Sequence, residues 1–425
     1  MDHSTTGGGA STVAGSRAAT SDEEGVKTVS TIPTETVQPG KASLFYDPKI
    51  RGYVYQFALL AVVGFLIWSA ASNAIENLRA QKIASGFGFW HNAAGFDVNQ
   101  KLIPFSASGS TYGQAFYVGL LNTLLVASIG IVLSTFLGFF VGVSRLSSNW
   151  VLSKLAMIYV EVIRNLPLLL QLFFWYNAVL KPLPDARNSI ALPGSIYLNN
   201  RGLIMPNPQF GPAFQAVVIA FFLAVVLAIA FYIWSKKQQE RTGTQYPNGS
   251  ITFGLILGLP LLTYFIAGQP LSFDLPQQGR FNLTGGLQIY PEFVALLIGL
   301  TTYTAGFIAE VVRAGILAVS RGQTEAANAL GLRAGPTLKL VVIPQAMRVI
   351  IPPLTSNYLN LTKNSSLAVA IGYPDLVQVF TGTVLNQTGQ AVEVVAITMA
   401  VYLTISLVTS LFMNIYNKRM ALVER

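Results

Sequence analysis

Lys363 is the residue in this chain that most needs a chemical reason. It lies within an apolar block, in the run Lys363-Asn364-Ser365-Ser366-Leu367. A bare ammonium there costs at least ~2.5 to 3.5 kcal/mol at a bilayer midplane unless it is paired or faces a cavity. Counted from Pro344 at roughly 1.5 Å per residue, it reaches the outer half of the bilayer, although Pro352-Pro353 disturb the count. Two readings stay open. In one, Lys363 lines a path and attracts a carboxylate in transit, with Asn364 beside it, Ser365 and Ser366 offering hydroxyls, and Tyr303 and Thr304 on another apolar run joining the same path. In the other, the segment is a helix break held by local hydroxyl and amide hydrogen bonds.

Charge recurs in a second pattern. Glu161-Val-Ile-Arg164 and Glu310-Val-Val-Arg313 repeat one four-residue spacing on two apolar runs, and Glu and Arg three apart share a helix face. The pairs read as interfacial ion pairs with snorkelling stems, and equally as ties that make neighbouring helices move as one unit. Bond chemistry has little to work with. The absence of Cys excludes disulfides, thiolate metal sites and cysteine nucleophiles. The two histidines, His3 and His91, fall in a tail and an external segment. No G-x4-G-K-[ST] occurs, and Gly331-Leu-Arg-Ala-Gly335 lacks the spacing and the lysine of a P-loop. No catalytic residue, cofactor or metal is therefore expected on this chain, and it does not hydrolyse ATP by that route alone.

The elements that position these residues are membrane helices. Charged residues make up 11% of the chain against roughly 25% in soluble proteins, and several apolar runs are long enough to cross a hydrocarbon core of roughly 30 Å. The net charge of +9 sits in short Lys/Arg clusters at the ends of those runs, where it signals topology and not nucleic-acid binding. Residues 1 to 45 are Gly/Ser/Thr/Ala-rich with Asp22-Glu23-Glu24 and read as a disordered cytoplasmic tail. Eight spans follow, at about 54 to 75, 113 to 143, 152 to 180, 213 to 235, 250 to 267, 291 to 318, a seventh rising after Pro344, and 391 to 415. Lys49 and Arg51 before the first and Lys418-Arg419 after the last put both termini inside.

Between the sixth and seventh spans lies EAANALGLRAGPTLKLVVIP, Glu325 to Pro344. Glu325, Ala326 and Ala327 favour helix, Gly331 permits a turn, Arg333 and Lys339 add positive charge, and Pro344 falls where the chain turns apolar again. The stretch reads as a short helix, a turn and re-entry into lipid. Its spacing is Glu325-Ala326-Ala327, three residues, Gly331, nine residues, then Val341-x-Ile343-Pro344. That spacing resembles the EAA loop of bacterial ABC importer permeases. Tyr159-Val-Glu161-Val-Ile-Arg164-Asn165-Leu-Pro167-Leu-Leu-Leu-Gln171 resembles the Y-x-E-x-x-R-N-x-P-L-L-x-Q signature of the polar amino acid permeases among them. The Lys363 run is similar to that family's Lys-Asp-Thr-Ser-Leu, with Asn364 in place of Asp. Losing that carboxylate favours binding of an amino acid carboxylate and disfavours a preference for cationic side chains. With the tail, the first span and the pair at 213 to 267, the chain resembles the long permeases of the general L-amino-acid importers.

The resemblance implies an all-α polytopic membrane protein of about eight transmembrane helices around a five-helix ABC type I importer core. It divides the chain into the tail (1–45), an extra helix with an external segment (46–112), the first part of the core (113–212), an inserted helix pair with an external loop (213–290), and the second part of the core (291–425) with its loop at 320–344. It implies that Glu325, Ala326, Ala327, Gly331, Arg333 and Pro344 belong to a coupling helix that docks on a separate ATPase. The implied partners are two ATPase subunits carrying ATP and Mg, a second homologous permease in a heterodimer ahead of a homodimer, an external amino-acid-binding protein, an L-amino acid substrate and membrane lipid, with no nucleic acid. The implied location is a bacterial inner membrane. The rival reading is an ATP-independent secondary transporter. That class is expected to carry buried acids or a repeated pore element, whereas Glu161 and Glu310 fall at the membrane edge and the conspicuous intramembrane charge is a lysine.

Overall fold

The computed structural model describes residues 48–80, 85–279 and 282–420; the tail expected at 1–45 lies outside them. The chain forms two units, residues 1–77 and 78–425. Over the described residues the first consists of helix α1 (Pro48–Ala80) as far as Asn77, and its stretch Arg51–Asn77 is apolar enough to cross a membrane.

The second unit holds the remaining spans. α2 (Tyr112–Ser144) begins at a capping box in which the Thr111 hydroxyl accepts the Gln114 N–H and the Gln114 side chain accepts the Thr111 N–H, satisfying two donors that a helix start leaves free. α3 (Trp150–Asn165) and α4 (Leu168–Phe173) follow, and α4 continues as π-helix to Leu180. Then come α5 (Phe214–Thr242), α6 (Asn248–Ile266) and α7 (Pro291–Leu317). α8 (Arg321–Ala329) and α9 (Ala334–Thr337) lead into α10 (Ile343–Asn364). A 3-10 turn, a π-helical stretch and the short α11 (Leu385–Thr388) connect α10 to α12 (Ala391–Met420). Among the described residues seven helices are long and apolar enough to cross a membrane, and an eighth is counted if the bent pair α3–α4 is one span.

That bend corrects the expected continuous third span. The axes of Trp150–Asn165 and Leu168–Leu180 differ by 107°. Pro167 has no N–H to donate to the Ile163 carbonyl, and its ring disfavours helical backbone at Leu166, which is extended (φ −94°, ψ 129°).

α2 and α7 form the centre of the core. In lipid, helices gain little from hiding apolar surface and associate by close packing, which small residues permit. A Cβ at Gly138 would lie 2.5 Å from Ile308 Cγ2, and one at Gly142 2.7 Å from the Ala309 carbonyl oxygen. Only glycine lets the two backbones approach so closely. α3, α4 and α10 pack around α7, while α5 and α6 pack chiefly on each other along the buried stripe Ala220, Ala224 and Ala228.

The segment before α5 and the external loop expected after the inserted helix pair carry structure of their own. β1 (Ile190–Leu192), β2 (Ile196–Asn199), β3 (Gly202–Met205), β4 (Asn207–Phe210), β5 (Leu271–Asp274), β6 (Gln277–Gln278), β7 (Leu283–Thr284) and β8 (Leu287–Ile289) are short strands. They form an antiparallel sheet of order β1-β2-β3-β8 and two strand pairs, β4-β5 and β6-β7. Before α2, Phe89 and Phe105 are buried in one cluster with Phe116 and Phe380, so this segment is part of the core.

Candidate functional site

A cavity of about 250 Å³ opens between α7 and α10, lined by Tyr303, Thr304 and Phe307 and by Asn357, Asn360 and Asn364. The asparagines recur at three and four residues, the spacing of one helix face. Asn357 Nδ2 donates to the Pro353 carbonyl at 3.1 Å. The side-chain amides of Asn360 and Asn364 have no protein partner among the described residues. Tyr303 and Phe307 present ring faces with centroids 5.0 Å apart. The lining thus offers amide donors and acceptors, two hydroxyls and aromatic faces, and no ionisable carboxylate or amine.

The structure gathers some of the expected path residues and separates others. Tyr303, Thr304 and Asn364 line the cavity; Lys363, Ser365 and Ser366 do not. Lys363 is exposed. Ser365 is 1% exposed and donates to the Thr362 carbonyl at 2.7 Å, and Ser366 donates to the Lys363 carbonyl at 2.7 Å. The two hydroxyls expected to serve a substrate instead satisfy carbonyls where α10 tightens into the 3-10 turn Ser365–Ile371. Short hydroxyl side chains in a helix bond back to the preceding turn.

Beside the cavity is a charge cluster with one acid at its centre. Glu310 pairs with Arg145, with Arg313 at 2.5 Å, and with Arg164 at 3.9 Å. The Glu310–Arg313 pattern forms the expected pair. The Glu161–Arg164 pattern does not: Arg164 turns to Glu310 and lies 5.2 Å from the centroid of the Phe307 ring, while exposed Glu161 has no ion-pair partner among the described residues. Glu310 therefore joins the ends of α2, α3 and α7.

The break at Pro167 has its own fitting. Gln171, 5% exposed, donates through Nε2 to the Ile163 and Leu166 carbonyls, both at 3.0 Å. The Ile163 carbonyl is the one that Pro167 cannot serve, and a spanning segment must satisfy such groups internally. Tyr159 donates its hydroxyl to the Thr302 carbonyl of α7 at 2.7 Å.

At the end of α7, the loop forms the expected helix, turn and re-entry. Gly331 is left-handed (φ 78°), and the Leu332 N–H returns to the Ala327 carbonyl at 3.1 Å, a helix-closing geometry that favours glycine. Ala327 is buried at 4%, and Leu330 is exposed at 83%. Arg333 and Glu325 are exposed as well. Pro344 has no N–H for the Leu340 carbonyl, and the helix widens to a π stretch at Leu338–Val342.

Residues 249–422 match the family described as the binding-protein-dependent transport system inner membrane component. The chain is 53% identical over 383 residues to the general L-amino acid transport system permease protein AapQ of Rhizobium johnstonii, covering 90% of this chain and 95% of that one. It is 52% identical to the putative amino-acid ABC transporter permease protein YhdX of Escherichia coli, covering 91% and 98%. A shorter relative, the probable glutamine ABC transporter permease protein GlnM of Bacillus subtilis, is 32% identical over 53% of this chain and 97% of its own length. The chain belongs to the permeases of the binding-protein-dependent ABC transporters.

Sequence reasoning missed three parts of the permease. Asn357 and Asn360 carried a signal, a polar residue at helical spacing from Asn364 in an otherwise apolar run. Gln171 had a signal in Pro167, since a proline inside a span announces an orphaned carbonyl four residues earlier. Asp375, fully buried, gave no signal, because its burial depends on helices remote in sequence.

Proposed function

We propose that this permease is the membrane subunit of an ATP-driven importer of L-amino acids in a bacterial inner membrane, with both termini cytoplasmic. A loaded external binding protein would deliver the amino acid to a path between this chain and a second, homologous permease. Two ATPase subunits, each using ATP and Mg, would dock on the coupling loops. ATP binding closes the ATPases, draws the two α8 helices together and opens the path outward; hydrolysis resets it. Exposed Leu330 beside the Gly331 turn offers an apolar contact for such docking. In α10, Lys363 is exposed with no side-chain partner among the described residues, which suits a face covered by the second permease and leaves its ammonium beside the path. Asn364 removes the carboxylate that would favour cationic side chains.

The observation that carries the amino acid reading is the cavity of Tyr303, Thr304, Phe307, Asn357, Asn360 and Asn364. An uncharged, hydrogen-bonding lining within a membrane bundle suits a zwitterion whose side chain is not closely specified. The test is uptake of labelled acidic, neutral and basic amino acids into proteoliposomes holding this permease, its second permease and the ATPase. ATP and the binding protein are each supplied or withheld. Uptake dependent on both supports the reading. Uptake driven by an ion gradient without ATP would establish the secondary-transporter rival. The Lys363→Met variant separates the lysine's roles: reduced uptake of all three substrate classes with ATPase association intact places the ammonium on the path, and failure to assemble makes it structural.

A further inference from the structure

Asp375 lies in the connection between α10 and α12, and it is 0% exposed with no cation paired to it among the described residues. One carboxylate oxygen accepts the Gln378 N–H at 2.8 Å, and the other accepts the Tyr402 hydroxyl of α12 at 3.3 Å. A carboxylate accepting an N–H three residues on caps a helix start. The cap alone does not explain the neighbourhood. The Leu376 N–H donates to the Thr123 hydroxyl of α2 at 3.0 Å, Asn122 Nδ2 donates to the Pro374 carbonyl at 2.9 Å, and the Tyr373 hydroxyl donates to the Asn122 carbonyl at 3.2 Å. Residues 373–376 are thus stitched to α2 on one side and, through Asp375, to α12 on the other.

This stitched segment is joined directly to the cavity wall. Gly372, left-handed at φ 77°, separates it from the 3-10 turn Ser365–Ile371 that continues Asn364. The buried Ser365 and Thr123 hydroxyls share the cluster around the Tyr402 hydroxyl. Whatever holds Tyr402 therefore bears on the backbone carrying Asn364. We infer that Asp375 is a positioning residue for substrate passage, fixing the Asn364 end of the cavity against α2 and α12 through Tyr402 and Thr123 without itself meeting the substrate. The inference rests on the reading of the cavity as the substrate path.

The test measures ATP-dependent uptake in the assembled transporter, with the substrate concentration for half-maximal uptake separated from the maximal rate per inserted molecule. Asp375→Asn keeps an acceptor oxygen for the Gln378 N–H and places an amide N–H that can donate to the Tyr402 oxygen where the second acceptor was, so it is expected to stay within about twofold of wild type in both. Asp375→Ala removes both bonds and is expected to raise the half-maximal concentration about tenfold, the worth of roughly one to two hydrogen bonds, at a maximal rate within about twofold. Tyr402→Phe, which removes one bond and leaves the helix cap, keeps the test alive if the Ala variant does not insert, and is expected to raise it about threefold. An unchanged half-maximal concentration in Tyr402→Phe, a fall in maximal rate alone, or an Asn variant as impaired as the Ala variant would each overturn the inference. Asn360→Leu reports on the cavity separately. If it changes nothing, the path reading itself fails; if it raises the half-maximal concentration while Asp375 and Tyr402 variants do not, the positioning role alone fails.

Discussion

Replacing Gln171 by Met keeps the length and volume of the side chain and removes both N–H donors. In wild type these donors serve the Ile163 and Leu166 carbonyls at 3.0 Å each, in a site where the side chain is 5% exposed. Each carbonyl stranded without water costs about 1 to 3 kcal/mol. Gln171 Oε1 is itself buried without a partner, so its removal offsets a cost of the same order. The net loss works out at about 2 kcal/mol, roughly thirtyfold in the folded-to-unfolded ratio. The measurement is denaturant-induced unfolding of the purified complex in detergent, read against uptake by the same preparation. A Met variant as stable and as active as wild type would refute the argument, because the carbonyls freed by Pro167 would then have another source of donors.

Three further outcomes follow from the geometry. Glu310→Gln leaves Arg145, Arg164 and Arg313 converging without their acid, and it should destabilise the complex by about 1 to 3 kcal/mol, between exposed and buried pairs; Arg164→Gln, at 3.9 Å from the acid, should cost less in the same unfolding assay. Gly331→Val forces a β-branched residue into left-handed backbone (φ 78°) with nothing within 4 Å of its Cβ, so the expected result is normal insertion with weakened ATPase co-purification and uptake; full retention of both would remove the loop from coupling. Burial pushes the Asp375 carboxyl up to about 7, above its unfolded value, so between about pH 4 and 7 the folded chain holds a proton that the unfolded chain has released; stability should fall as pH rises through that window, Asp375→Asn should flatten the profile, and an unchanged slope in the variant would assign it to another group.

The spans were legible because a hydrocarbon core leaves few choices: a long apolar run crosses as a helix, and its ends carry the charges. The helix, turn and re-entry at Glu325 to Pro344 were legible for a similar reason, since Gly331 and Pro344 restrict the backbone locally. Pairing across helices was not. Glu161 and Arg164 share a face, yet Arg164 turns to Glu310 because α7 brings an acid already held by two other arginines, and spacing within one helix says nothing of that approach. Pro167 should have broken the third span on its stereochemistry alone, but the surrounding leucines read as continuous. The cavity was half visible: the lysine drew attention by its cost, while the asparagines at 357 and 360, cheaper in lipid, line the cavity that the lysine leaves. The short strands at 190–289 were missed because segments of two to four residues are too brief to show alternation.

The loop that joins α7 to α10 also joins the two walls of the cavity, and the walls are not held alike. Through Glu310, α7 is tied to α2 and α3, and the α2 glycines Gly138 and Gly142 let it seat closely on α2. α10 has no member in that cluster. It carries a π stretch before Pro344, and Pro352 and Pro353 leave the Arg348 and Val349 carbonyls without helical donors, features at which helices bend. A displacement applied at α8 therefore meets a braced helix on one side and a compliant one on the other, so α10 should move. It would carry Asn357 and Asn360 relative to Tyr303 and Phe307, and the cavity would change shape with α2, α3 and α7 as the fixed frame. Spin labels at exposed Leu317 and Val349 should change separation between nucleotide-free and ATP-bound complexes, while labels at Phe140 and Leu317, on helices that the Glu310 cluster joins, should not. Equal movement of both pairs would show that the charge cluster does not brace α7.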